Sequence, residues 1–476
     1  MNRHVSLCLA LVLFCASSTF AAEPPAPEAS AVPPVSPASQ KRYDWTKKAL
    51  VGGYDGVGKH DPKWDDDARQ ALTCSTAVWA TPRQHRGLDR QAFELSQKAV
   101  EAGCDDPMVL YVYARTFRVR GHNPEKSIAL HERAADAMAD SGYSAFYRAL
   151  AQCRAAQLKL ERYNYFKKTK GVENADDFTA AMARFDKAAG LLPDVAKEAD
   201  VPLTEWVELG DVLDALAVDK PGALQVDKAL PLFEKSAPKV ASLTVKGRLY
   251  TLWAWEARGG GFANTVSRQG WKVMNDRLAV AQDALEEAWK LDPTDVDAAI
   301  RMLTVELGQG QGRQRMELWF KRATQANPDS LEAYNDKLYY LEPKWYGSPE
   351  DMLQFGRDCL KEGRFGTDVP LVLELAHTSL SHYTHGGWQR TADPNYFKQP
   401  GVWADLKAVH EGYLKSDTGT DLDYTRNRYA YLATLCGAWD DANKMFAVIG
   451  DHPDPGVWTP ASFDAARKEA AEKAGK

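Results

Sequence analysis

The sequence predicts an all-α protein whose helices come in pairs, and three observations carry that expectation. From Asp65 onward, apolar residues recur at intervals of three and four in blocks punctuated by Gly, Pro or Asn, the period of a helix with one buried face. The alternation of apolar and polar residues that marks a half-buried strand is almost absent. One spacing recurs along the chain: a small residue, an aromatic four positions on, a second small residue three further, then a proline. The composition agrees, with 476 residues, 45% apolar and 26% charged, which is a core-forming chain and not a disordered one. At roughly 100–200 residues per domain, the length accommodates several domains or one elongated array. A net charge of −6 with no basic block repels polyphosphate and argues against nucleic acid as a partner.

In chain order, Arg3 and His4 precede an apolar run from Val5 to Cys15 and the small residues up to Ala21-Ala22. This is the pattern of a secretory signal peptide covering residues 1–21. The run is well short of the roughly 20 residues a bilayer-spanning helix needs, and no later stretch is apolar enough to span a bilayer. The expectation is export to the periplasm or beyond, without integral membrane insertion. Phe14 stands where a lipidated cysteine at position 15 would need a small residue, so lipidation is not expected. Residues 22–40 form a Pro/Ala-rich tract, with Pro24-Pro25, Pro33-Pro34 and Pro37, and read as a disordered linker. Cys74, Cys104, Cys153, Cys359 and Cys436 remain after export; an odd number at wide spacing reads as buried thiols and not as a disulfide framework.

Residues 41–476 carry the repeat, with a weak subdivision near 240–265 around Gly259-Gly260-Gly261. Ala181, Phe185, Ala188 and Pro193 fit the spacing completely. Met316, Phe320, Ala323 and Pro328 fit with one enlarged member, and Ala281, Leu285, Ala288 and Pro293 place Leu in the aromatic slot. Ala442 and Phe446, Ala229, Phe233 and Ser236, and Ser127, His131 and Ala134 repeat the first half. Small residues at these separations lie on one helix face and let a second helix approach closely, while the aromatic fills the space between them. Proline then stops the helix. Trp206, Leu209, Gly210 and Leu213 supply the matching face of a preceding partner helix.

These residues resemble the tetratricopeptide family, a helix–turn–helix unit of about 34 residues. The resemblance implies a right-handed α-solenoid of irregular tetratricopeptide-like helix pairs. The connection around Asp219-Lys220-Pro221-Gly222 is longer than that pattern allows. A second stretch, from Trp255-Glu256-Ala257-Arg258-Gly259 through Ala288-Trp289-Lys290-Leu291-Asp292-Pro293 to Leu341-Glu342-Pro343-Lys344-Trp345-Tyr346-Gly347-Ser348, is similar to an uncharacterised family of exported bacterial tetratricopeptide-like proteins. That likeness implies fold and bacterial export but no activity. In the tetratricopeptide pattern, groove-lining positions of the first helix become Thr204, Val207, Asp211 and Asp214. The resemblance therefore implies an interaction scaffold whose partner is a protein, a peptide or a sibling subunit, and the two acids favour a basic or neutral ligand.

No catalytic residue or cofactor is assigned from the sequence. There is no Gly-x-Ser-x-Gly elbow, and Gly259-Gly260-Gly261 lacks the Lys-Ser/Thr that would hold phosphate. His377, His382 and His385 are dense, but His377 and His382 fall about 140° apart on a helix, so a metal set does not form from them. The acids from Asp417 to Asp423 lack the glycine and bidentate acid of a calcium loop. Lys344, Trp345, Tyr346 and Trp388 flank Pro or Gly breaks instead of packing positions. They are the candidate ligand platform of a second reading, an all-α carbohydrate-binding or carbohydrate-active envelope protein.

Overall fold

The computed structural model describes residues 37–81, 86–120, 123–216, 230–384, 387–389, 391–416 and 422–475. Residues 1–21, expected as a signal peptide, most of the proline-rich tract, Ala229 and the connection around Pro221 lie outside them. Among the described residues, 21 α-helices are packed as sequential pairs, and the one sheet is the antiparallel pairing of Tyr383–Thr384 with Gly387–Trp388. No described helix is long and apolar enough to cross a membrane.

The described residues divide into two units, one running from α1 to residue 327 and the other from residue 328 onward. In the first, α1 (Pro37–Lys47) leads through a π-helical turn (Lys48–Gly52) into α2 (Gly53–Val57). Helix α1 begins within the last residues of the proline-rich tract, because proline in a first turn forfeits no helical hydrogen bond. The pairs follow: α3 (Asp65–Ala80) with α4 (Arg86–Glu101), α5 (Pro107–Arg120) with α6 (Pro124–Ala139), and α7 (Ala145–Lys170) with α8 (Ala175–Val195). Then come α9 (Leu203–Leu216) with α10 (Leu230–Ser236), α11 (Lys239–Arg258) with α12 (Arg268–Leu291), and α13 (Val296–Gln309) with α14 (Arg313–Ala326). First helices touch in succession, α3 with α5, α7 with α9, α9 with α11 and α11 with α13. Tyr111 of α5 meets Tyr147 of α7 at 5.9 Å between ring centroids. Residues 240–265 lie inside this unit.

The second unit holds α15 (Leu331–Tyr340), α16 (Pro349–Lys361), α17 (Val372–Leu380), α18 (Val402–Lys415), α19 (Leu422–Cys436), α20 (Trp439–Ile449) and α21 (Pro460–Lys473). From α16 onward, each helix packs on the next.

The helix starts are fixed by local chemistry. Asn123, Ser144, Asn174, Ser267, Asp295, Ser348 and Thr459 each accept a hydrogen bond from a backbone N–H of the first turn, which satisfies a donor that the helix itself leaves free. Gly171 and Gly310, at φ 65° and 63°, close α7 and α13 in the left-handed conformation that a side chain resists.

The repeat spacing is realised as packing. Ala181, Phe185, Ala188, Ala281, Leu285, Ala288, Ala323, Ala442 and Phe446 are all buried. Two expectations need correction. Pro193 does not stop its helix: α8 continues to Val195, and Ala196 still donates to the Leu192 carbonyl at 3.0 Å, since the proline removes one bond only two residues from the end. Phe320 is not the buried aromatic of its repeat; it is half-buried, and Trp319 is 1% exposed in its place. The five described cysteines are free, four of them buried, and burial pushes their thiols up to about 11 or 12.

His131, in the aromatic slot of α6, is buried, with Nδ1 donating to the Ser127 carbonyl at 2.8 Å. Burial lowers its pKa to about 4, against the weaker opposing effect of that hydrogen bond. An unfolded chain takes up this proton near pH 6.5, so the folded protein is expected to lose stability as pH falls from about 6.5 to about 4, by on the order of 2–3 kcal/mol from this residue. His131→Gln should flatten that part of the profile. Urea unfolding of both chains at pH 7 and pH 4.5 tests it, and equal acid losses in the two would refute the assignment.

Candidate functional site

In the first unit, the first-helix face around α9 is built from charge. Glu205 accepts from Arg42 Nε at 2.5 Å. Glu208 is contacted by Arg42 at 3.3 Å, Arg154 at 2.9 Å and Arg115 at 3.3 Å. Arg115 also stacks over the Trp79 ring, 4.2 Å from its centroid. These residues come from α1, α3, α5, α7 and α9, so the face is assembled by successive first helices. Burial alone would raise the Glu208 pKa, but the three guanidiniums outweigh it and bring the carboxyl to about 2.

The residues expected from the sequence lie on the same helix as this charged face but are not the ones that meet the arginines. Thr204 is half-buried, its Oγ1 is buried without a hydrogen-bond partner, and Val207 is buried. The acids that meet the arginines are Glu205 and Glu208, each one position further along the helix. The side chains of Asp211 and Asp214 lie outside the described residues. The signal that could have exposed the difference is Val207 itself, an apolar residue beside Trp206, with the acids Glu205 and Glu208 flanking the two.

In the second unit, the structure does bring Lys344, Trp345, Tyr346 and Trp388 together. The Lys344 ammonium lies 4.4 Å from the Tyr339 ring centroid and 5.9 Å from that of Trp388. Trp345 packs edge-on against Tyr339 at 5.8 Å, and Tyr346 meets Tyr340 at 4.8 Å. His382 stacks on Trp388 at 6.1 Å. The organising residue, which the sequence did not single out, is the buried Glu342. It accepts from Ser379 at 2.7 Å and Tyr383 at 2.9 Å, and pairs with Lys344 at 2.6 Å. Tyr346 and Trp388 remain 46% exposed, and the exposed Trp388 ring lies beside the Lys344 cation. With its oxygens engaged by three donors, Glu342 positions Lys344.

His377 and His382 are each held by neighbouring protein groups. His377 is buried, with Nδ1 against the Tyr396 hydroxyl at 2.9 Å and Nε2 against Asp405 at 3.2 Å. Burial lowers its pKa, and Asp405 opposes that only in part. His382 Nδ1 faces the Gln389 carbonyl at 3.2 Å, and His385 lies outside the described residues. Among the described residues, no three His, Cys, Asp or Glu side chains converge as metal ligands. Gly259, at φ 76°, makes the bend that ends α11. No protein-family model matches the chain, and no curated protein matches it either; the finding that stands is an all-helical array of sequential pairs.

Proposed function

We propose that this chain is an exported scaffold of the bacterial envelope, a tetratricopeptide-like right-handed solenoid that holds a protein or peptide partner and performs no chemistry of its own. The observation that supports this reading best is the continuity of the first-helix layer from α3 to α9, with a charged and aromatic face shared among its helices. Stacked pairs of this kind offer a long surface without needing a reactive group. The test is affinity capture from bacterial envelope extract with the chain beginning at Ala22. A protein retained at a stoichiometric level is the expected result, and a chain that retains none sinks the reading.

One observation favours a second reading, carbohydrate binding: the exposed ring of Trp388 beside Lys344, with Tyr346 also exposed. Aromatic faces of this kind stack on sugar rings. On that reading, Trp388→Ala weakens binding of an envelope oligosaccharide about tenfold, or about 1.4 kcal/mol, with the melting temperature unchanged. Calorimetric titration showing no sugar binding by the parent chain would dismiss it.

A further inference from the structure

Helix α1 stands outside the alternation of first and second helices. It packs on α3, and its Tyr43 lies against the cluster of Cys74, Ala77, Leu88 and Ala92 formed by α3 and α4. Two residues further along, Trp45 meets Phe146 and Tyr147 of α7 at 5.1 and 6.0 Å. Arg42 reaches Glu205 and Glu208 of α9, more than 160 positions away in sequence. One short helix thus touches the first helices α3, α7 and α9, on the face where Arg115 of α5 and Arg154 also point at Glu208.

The attachment is that of a ligand more than of a core element. The α1 sequence PASQKRYDWTK holds two large apolar side chains, Tyr43 and Trp45, both only half-buried. Arg42 keeps 29% of its side chain exposed. An isolated helix of this length is marginal in water and depends on what it docks against. The segment that follows is anchored differently: Leu50 and Tyr54 are completely buried, and the Tyr54 hydroxyl donates to Asp65 at 2.6 Å. Between the docked helix and Tyr54 lies the π-helical turn at Lys48–Gly52, which carries the buried Leu50 and is continued by Gly53. Such a turn breaks the regular ladder and marks a place where a helix can bend.

We propose that α1 is a detachable intramolecular occupant of the first-helix face of α3, α5, α7 and α9. The partner that face admits is a helical protein segment carrying an arginine and a tryptophan three positions apart, as Arg42 and Trp45 are in α1. The inference rests on the scaffold reading and specifies its surface: Glu205 and Glu208 receive the arginine, and the rings of Phe146 and Tyr147 receive the tryptophan. The occupied state is self-inhibited, because a competing helix binds only the fraction of molecules whose α1 has left, and its apparent affinity falls by that fraction.

The test uses the full mature chain and a fluorescent peptide of the sequence from Pro37 to Lys47. Wild type should bind the peptide weakly by anisotropy. Arg42→Ala/Trp45→Ala, which disables the resident helix, should bind it at least about tenfold more tightly, and adding Glu205→Gln/Glu208→Gln should abolish the gain. Hydrogen exchange on the wild-type chain provides a second measurement that needs no variant. Amides of residues 39–47 should exchange far faster than those of α5 and α7, as a separately opening unit does. Equal protection of α1 and α7, a double variant that loses cooperative folding, or a folded double variant that binds the peptide no better than wild type would each overturn the proposal. None of these results bears on capture of a partner from envelope extract, so the scaffold reading stands or falls separately.

Discussion

Trp319→Ala is expected to lower the unfolding free energy by about 3–5 kcal/mol, the cost of removing a large buried aromatic and leaving a cavity. Trp319 sits on α14, 1% exposed, edge-on to Trp289 of α12 at 6.1 Å and beneath the Arg322 guanidinium at 4.2 Å. Its loss would remove apolar contact between two pairs and leave Arg322 without the ring it covers. Phe320→Ala, on the neighbouring half-buried side chain, should cost clearly less. Denaturant unfolding of the two variants side by side decides the matter. If Phe320→Ala is the more damaging, the packing register of α14 is wrong by one position.

That one-position difference shows what the sequence could and could not disclose. The small residues of the repeat, Ala181, Ala188, Ala281, Ala288, Ala323 and Ala442, were legible because a four-plus-three spacing of alanines has few uses other than close helix approach. The aromatic slot of α14 was not, since Trp319 and Phe320 are adjacent and both fall within the breadth of a buried helix face. The same ambiguity operates on α9. Thr204 and Val207 were read as lining residues, yet Val207 is buried while Glu205 and Glu208 carry the contacts. A 100° step per residue separates these pairs, and only the neighbouring helices decide which of two adjacent positions turns toward them. Long-range charge was less legible still. Nothing local to Arg42 announces two glutamates more than 160 residues away, and nothing near Lys344 says that Glu342 will be fixed by Ser379 and Tyr383. The aromatic cluster was readable because its members flank helix breaks, where packing makes no claim on them.

The same limit hid the buried charge of the second unit, and there a second large effect is expected: Glu374→Ala should destabilise the chain by about 3 kcal/mol. Glu374 on α17 is 8% exposed. One oxygen accepts from Arg428 of α19, at 2.7 Å from Nε and 2.6 Å from Nη2, and the other from His410 Nε2 of α18 at 2.8 Å. Burial by itself would raise its pKa, but Arg428 and His410 outweigh that and hold the carboxyl well below the usual carboxylate range. The carboxylate therefore binds three helices together, and truncating it strands a largely buried guanidinium, which is where most of the loss arises. The Arg428 side chain retains 21% exposure, which relieves part of the penalty and places the expectation at the low end of the range for a broken buried pair. His410 Nδ1 is buried without a hydrogen-bond partner, so its ring gains nothing on losing Glu374. Because the folded pKa is depressed, this contribution is present above the unfolded value near 4.3 and fades as pH falls toward the folded one. The stability gap between wild type and Glu374→Gln should narrow on acidification from pH 6 toward pH 3. Glu374→Leu/Arg428→Met should recover much of the loss, because the stranded charge leaves with its partner. Urea unfolding of the single and double variants across that pH range measures both effects. A single variant as stable as wild type, or a double variant no better than the single, would show that the three helices are held by their apolar faces alone.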